Sequence, residues 1–213
     1  MKTVYNKNVM IIGAETAIGQ AIALEFSKEK ANIIAIGSDK EKLGDIERTI
    51  GNRRSKIRSY RCDLTLHKET ERVLDDILKY HDQIDMLIFA NGFESSKLFS
   101  QADPDEIVSI LNQSFISTVW FTKLIFSHMM ERKRGEIVYI PQFHPGQASD
   151  GIIEGLCLGG SFAFFEGLRG FFKTINADIP VVIAHYAGKE IDETKSAISI
   201  VQAVMKGKTS VRI

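Results

Sequence analysis

Neither sign of charge is in excess: 27 Lys plus Arg are balanced by 27 Asp plus Glu, so no net field draws this chain to nucleic acid or to an anionic membrane surface. Cysteine is scarce. Cys62 and Cys157 are too few for a disulfide framework and lack the paired spacing of a metal site, which suits a reducing compartment and makes the cytoplasm the expected location. No apolar run is long enough to cross a bilayer, and the first residues, MKTVYNKNVMIIGAET, lack the architecture of a signal peptide. The five histidines, at 67, 81, 128, 144 and 185, show no ligand spacing, so metal catalysis has no support. Repeats, low-complexity tracts and linkers are also missing, and one domain over residues 1–213 is expected, its core filled from the 44% of residues that are hydrophobic.

What is present is a rhythm. Apolar runs of strand length recur at VMII (9–12), NIIAI (32–36), KIRSY (56–60), DMLIFA (85–90), EIVYI (136–140) and PVVIAH (180–185), with segments of helical period between them. Near-continuous apolar strands that alternate with helices indicate a parallel sheet covered on both faces. The expected class is α/β, a doubly wound sheet of about seven strands, with a last helix and edge strand in IDETKSAISIVQAVMKGKTSVRI. One helix start is well marked, with Asp103 to cap it, Pro104 at its first position and Glu106 completing a capping box. That helix is expected to run to about Arg134, with Gly135 ending it beside the cations of MERKRG. RRSKIR at 53–58 reads as solvated charge rather than as a binding patch.

The first strand enters IIGAETAIGQAIALEF, where Gly13 and Gly19 bracket a turn into a helix and Ala17 holds the middle small position. In a dinucleotide site such residues let backbone amides approach a pyrophosphate at the helix N-terminus. GAETAIGQAIA resembles the GxxxGIGxAxA turn of the short-chain dehydrogenase/reductase family. In the same way YRCDLT resembles that family's (C/V)D(L/V)T strand end, and DMLIFANG its D-x-L-V-N-N-A-G. DPDEIVSILNQSFIST resembles the helix that carries its asparagine, and RGEIVYI the strand that leads to its serine. The resemblance implies a Rossmann fold and binding of NAD or NADP through Gly13, Glu15, Ala17, Ile18, Gly19, Ser38, Asp63, Leu64, Ala90 and Gly92. It also implies subunit contacts through the helices near 104–134 and 152–174, giving a homo- or hetero-oligomer.

The catalytic positions depart from the family. A tyrosine there exchanges the proton of the substrate oxygen, and a lysine four residues on lowers its pKa and holds the nicotinamide ribose. The alignment puts Cys157 at the tyrosine, Ser161 at the lysine and Gln142 at the serine. Ser114 falls at the asparagine, with Asn112 as the alternative two residues away. No Tyr-x-x-x-Lys occurs anywhere: the residues four after Tyr5, Tyr60, Tyr80, Tyr139 and Tyr186 are Val9, Leu64, Ile84, Phe143 and Glu190. After HYAG at 185–188 only a few residues precede the last helix, so the family's substrate lid is expected to be missing. Glu15 within the phosphate loop opposes a pyrophosphate and more strongly a 2′-phosphate, whereas Ser38 and Lys40 offer one weak support, so neither cofactor is selected.

Other chemistry has less behind it. Cys157 with His144 or His185 as base is a conceivable nucleophile, but an inert buried thiol is the expectation. Asp75, Asp76, Asp82 and Asp85 read as helix and loop surface, not as a carboxylate pair. Phe164, Phe171 and Phe172 are expected on one helix face and Phe162 and Phe165 on another, one stripe filling the core and one exposed. The leading expectation is a dinucleotide-fold protein without standard hydride chemistry, acting as a nucleotide-binding, partner or regulatory subunit. The alternative is an NAD(P)-dependent oxidoreductase on a carbonyl or alcohol with substitute groups such as Tyr139 or His144.

Overall fold

The six apolar runs and the terminal edge strand pair in parallel as β1 (Asn8–Ile12), β2 (Asn32–Gly37), β3 (Ile57–Arg61), β4 (Met86–Phe89), β5 (Ile137–Tyr139), β6 (Val181–His185) and β7 (Ser210–Arg212). A computed structural model describes residues 2–51, 55–91, 98–141, 151–185 and 192–213. The strands form one sheet in the order β3-β2-β1-β4-β5-β6-β7. Between them run α1 (Ala17–Lys28), α2 (Lys40–Gly51), α3 (His67–Tyr80), α4 (Pro104–Leu111), α5 (Ser117–Arg132), α6 (Ile152–Thr174) and α7 (Glu193–Met205). Strand side chains alternate between faces. Val9, Ile11, Ile33 and Val182 meet Ile22, Phe26, Ile46 and Ile200 of α1, α2 and α7 on one side. Met10, Ile12, Leu87 and Phe89 meet Ile77, Phe121, Ile125 and Phe165 of α3, α5 and α6 on the other. Both faces are covered, which is why the central strands read as unbroken apolar runs and not as alternation.

The strand order reverses at β1, whose neighbours are β2 and β4. Connections leave in opposite directions there, and a crevice opens at the carboxyl ends of these strands, the general ligand position in such sheets.

The helix expected from Pro104 to about Arg134 differs in two ways. The cap and the proline are as expected: the Asp103 carboxylate accepts from the Glu106 N–H at 2.8 Å, and Pro104 occupies the first turn. Its middle contains a single π-turn, Asn112–Ile116, between α4 and α5. Such a turn inserts a residue and reorients the side chains after it. Hydroxyls accompany it: Ser114, Ser117 and Thr118 donate to the carbonyls of Ile110, Gln113 and Ser114 at 2.7, 2.6 and 3.0 Å. The helix then stops at Arg132, because Lys133 is left-handed at φ 48°. Gly135 lies beyond the cap, where a Cβ would approach Met129 Sδ to 2.7 Å.

Two other expectations need correction. Phe165 and Phe172, seven residues apart, form the buried stripe of α6, while Phe162 and Phe171 are exposed; i, i+7 spacing keeps both on one face, and Phe165 also stacks on Tyr139 at 4.5 Å. Asp85 is not surface: its carboxylate accepts from the Asn8 N–H at 2.9 Å and from Lys7 Nζ at 3.2 Å, tying β4 to the entry of β1.

At the opposite end of the sheet, Glu136 is 7% exposed, with Lys2 Nζ 3.9 Å away. Burial pushes its carboxyl up from 4.5 to about 7, opposed by Lys2 and aided by Asp178. A folded-state pKa above the unfolded value gives stability that is fully present below pH 4.5 and lost as pH rises through 7. The stability advantage of Glu136→Gln over the natural chain is therefore expected to be on the order of 3 kcal/mol larger at pH 8 than at pH 4. Paired urea titrations at the two pH values check this.

Candidate functional site

The turn after β1 is shaped by its small residues. Gly13 has φ +77°, and a Cβ on it would lie 2.5 Å from the Asn91 nitrogen at the end of β4. Gly19 packs directly on the Gly13 carbonyl. Thr16 caps α1: its hydroxyl accepts from the Gly19 N–H at 3.0 Å and lies 2.9 and 3.1 Å from the carbonyls of Gly13 and Ala90. The Gln20 N–H bonds the Thr16 carbonyl. That leaves the N–H groups of Ala17 and Ile18 pointing out of the helix start, where the dipole favours an anion. Exposed Ala17 lies at the surface of this start and Ile18 is buried beneath it.

Glu15 leaves this loop sideways. Its carboxylate lies across Gly37 and accepts from the Ser38 N–H at 2.8 Å and from the Ser38 hydroxyl at 3.2 Å. Its second oxygen, Oε2, is buried and has no hydrogen-bond partner among the described residues. Further along, Asp63 follows β3 and folds back on Thr65, accepting from its N–H at 2.9 Å and its hydroxyl at 2.6 Å. Leu64 beside it packs against the core. Across the crevice Ala90 is buried, and the Asn91 carboxamide has a buried oxygen without a partner among the described residues. Gly92 lies outside the described residues. The structure thus brings Gly13, Glu15, Ala17, Ile18, Gly19, Ser38 and Ala90 to one end of the sheet, with Asp63 at the end of the neighbouring strand.

Sequence reading missed Thr16 and Asn91. Thr16 carried a usable signal, a threonine just before the apolar period of α1. Asn91 carried none, because its role depends on which strand lies beside β1.

The aligned catalytic positions also converge in part. Ser114, and not the exposed Asn112, faces Cys157, with Oγ to Sγ at 3.0 Å. The Ser114 hydroxyl is shared between two acceptors, the Cys157 sulfur and the Ile110 carbonyl, the latter at 2.7 Å. Burial raises the Cys157 pKa, the Ser114 bond lowers it, and nearby Glu154 raises it. Ser161, one turn on, hydrogen-bonds the Tyr139 phenol, which burial pushes up to about 12. The cluster is therefore neutral at physiological pH, and among the described residues no lysine or arginine side chain and no histidine hydrogen-bonds to it. Gln142 and His144 lie outside the described residues. His185, at the end of β6, is exposed and meets Phe162 edge-on at 5.9 Å. The segment after His185 where the family's lid is expected to be missing, residues 186–191, lies outside the described residues. Among the described residues there is no group of three metal-ligating side chains, and no helix is long and apolar enough to cross a membrane.

Comparison with known proteins bears on this end of the sheet. A family model described as short chain dehydrogenase matches residues 7–143. Dehydrogenase/reductase SDR family member 7 of Mus musculus is 29% identical over 175 residues, covering 80% of this chain and 50% of the relative. The human protein of that name is likewise matched over 50% of its length, so this chain spans about half of these curated relatives. Among solved structures, a metagenomic short-chain oxidoreductase in complex with NADP superposes with TM-score 0.87 at 18% identity, covering 100% of this chain and 97% of the other. A short chain dehydrogenase/reductase from Burkholderia phymatum in complex with NAD gives TM-score 0.89 at 10% identity, covering 100% and 90%. At these identities the structural likeness concerns the fold.

Proposed function

This chain belongs to the short chain dehydrogenase family, and from that premise we propose that it binds a nicotinamide dinucleotide without performing the family's standard hydride transfer, serving as a nucleotide-binding partner or regulatory subunit. The glycine turn supports the binding half. Gly13 and Gly19 keep the approach to α1 free of side chains, and the N–H groups of Ala17 and Ile18 face the place of a pyrophosphate. In a bound cofactor the nicotinamide would supply the hydride. The residues of this chain would hold the phosphates at α1 and the adenosine between Glu15 and Asp63.

The observation that carries the other half is the neutral cluster of Ser114, Cys157, Ser161 and Tyr139. A reductase needs a group that gives a proton to the substrate oxygen and, beside it, a cation that makes this easy at neutral pH. Here the thiol is buried and its sulfur accepts from the Ser114 hydroxyl. The phenol is buried, tied to Ser161 and held at about 12, too high to release a proton at pH 7. Loss of a positioned general acid costs roughly 10² to 10⁴ in rate. Nothing in this geometry favours Tyr139 as a substitute acid.

The purified chain, mixed with NADH or NADPH and a panel of aldehydes and ketones, is expected to bind cofactor without protein-dependent loss of nicotinamide absorbance. Steady consumption with any carbonyl would restore the oxidoreductase reading. Cys157→Ala is expected to leave cofactor affinity within about twofold and to cost about 1 kcal/mol of stability as a small buried deletion. A larger loss of binding would return the thiol to the site.

Oligomerisation belongs to the same proposal. A groove of about 380 Å³ between α3, α5 and α6 is lined by Ile116, Val119, Trp120, Phe126, Phe164 and Leu168, and Phe171 beside Phe126 is 44% exposed. Apolar surface left over after core packing commonly marks an interface.

A further inference from the structure

We propose that Glu15 makes this chain selective for NAD(H) against NADP(H), a step that rests on the dinucleotide reading above and names which of the two cofactors the site takes. The sheet order lays out the contacts a dinucleotide would meet. The pyrophosphate belongs at the start of α1, after β1. Adenine belongs near Asp63, after β3. The end of β2 lies between them, and with it Gly37 and Ser38, so the adenosine ribose passes there. A carboxylate at that place ordinarily comes from the strand itself. This strand ends in Gly37 and Ser38 and supplies none.

Glu15 fills the gap from the adjacent loop. Its side chain crosses to the end of β2, where only a glycine at 37 leaves room for it. Ser38 then holds it with two hydrogen bonds, at 2.8 Å from the backbone N–H and 3.2 Å from the hydroxyl. Two consequences follow. The donors that a 2′-phosphate would use at this spot, the Ser38 N–H and hydroxyl, are already given to Glu15. In addition, the carboxylate fixed here by Ser38 repels a dianionic 2′-phosphate but not a neutral ribose 2′-hydroxyl, which can donate to a carboxylate. Asp39, the next residue, has its own carboxylate directed at the N–H groups of Glu41 and Lys42, at 3.0 and 3.1 Å, and at Lys42 Nζ, at 3.7 Å. Of these two acids, Glu15 therefore faces the ribose. Lys40 is the opposing cation, exposed on the first turn of α2.

The test is fluorescence titration of the full chain with NADH and with NADPH, at low and at high salt, for the natural protein and for Glu15→Gln. The glutamine keeps the length and the acceptor for Ser38 but removes the charge. The natural chain is expected to bind NADH at least roughly tenfold more tightly than NADPH, with the gap narrowing as salt screens the repulsion. Glu15→Gln is expected to bring the two cofactors within about threefold, chiefly by strengthening NADPH. Equal binding of both by the natural chain, or a preference that neither salt nor Glu15→Gln changes, overturns the role of Glu15 while leaving dinucleotide binding in place. Binding of neither cofactor by folded protein overturns the dinucleotide reading itself, and this inference with it. If Glu15→Gln does not fold, the cofactor ratio and salt dependence of the natural chain still decide.

Discussion

Gly13→Ala is expected to destabilise the chain by about 3 kcal/mol and to weaken dinucleotide binding at least roughly tenfold. Two costs add. At φ +77° an L side chain is strained, at about 1 to 2 kcal/mol for a residue without compensating bonds. The added Cβ would also lie 2.5 Å from the Asn91 nitrogen and 2.6 Å from its Cα. Those atoms are backbone, so relief requires β1 and β4 to separate at their carboxyl ends. That end is where the cofactor would lie, and the loss of stability and the loss of affinity therefore share one cause. Thermal unfolding and a cofactor titration on the same preparation check both, and a stable variant that binds normally would show that the turn tolerates a side chain and that Gly13 is not shaped for a ligand.

Phe165→Ala is expected to cost about 4 kcal/mol, in the middle of the range for deletion of a buried aromatic ring. The ring is fully buried. It stacks on Tyr139 at 4.5 Å, lies 5.6 Å from Phe89, and meets Phe164 edge-on at 5.2 Å. Through these contacts α6 is fixed on β4 and β5, and with it Cys157 and Ser161 on the same helix. The phenol of Tyr139 would lose its support, so the cluster should loosen together with the core. Urea unfolding measures the loss, while near-ultraviolet spectra of the tyrosines report the local change. A cost under about 1 kcal/mol would mean that α6 is held by other contacts.

The fold was legible in the residues because burial on two faces leaves a plain mark: NIIAI and PVVIAH have no polar interruption, and the glycines of the first turn stand between a strand and a helix. The π-turn at Asn112–Ile116 was not, since SILNQSFIST has the same apolar content with or without an inserted residue. The facing of Phe162 and Phe165 is only partly legible, because residues three apart on a helix differ by only about 60° in direction, and packing on Tyr139 decides which of them is inside. In the site, Gly13, Gly19 and Ala17 declare their roles through size. Glu15 does not. Read locally it repels phosphate; only the parallel pairing of β1 with β2 carries its carboxylate to Ser38, 23 positions away in sequence. Ser114 and Cys157 were placed by resemblance alone, and their 3.0 Å contact across 43 positions depends on the packing of α6 against the π-turn. Asp85 looked like one more loop acid, and only the fold brings it to the first residue of β1.

The most direct test of the central claim, a dinucleotide held beside a cluster that does not transfer protons, is a titration of the purified chain with NADH followed by nicotinamide fluorescence, with a carbonyl panel added at saturation. Saturable binding with the fluorescence then unchanged over hours is the expected result. Contradiction would come from no saturation at about millimolar NADH, an affinity at which about 4 kcal/mol of binding energy would already register, or from a bound signal that decays once a carbonyl is added.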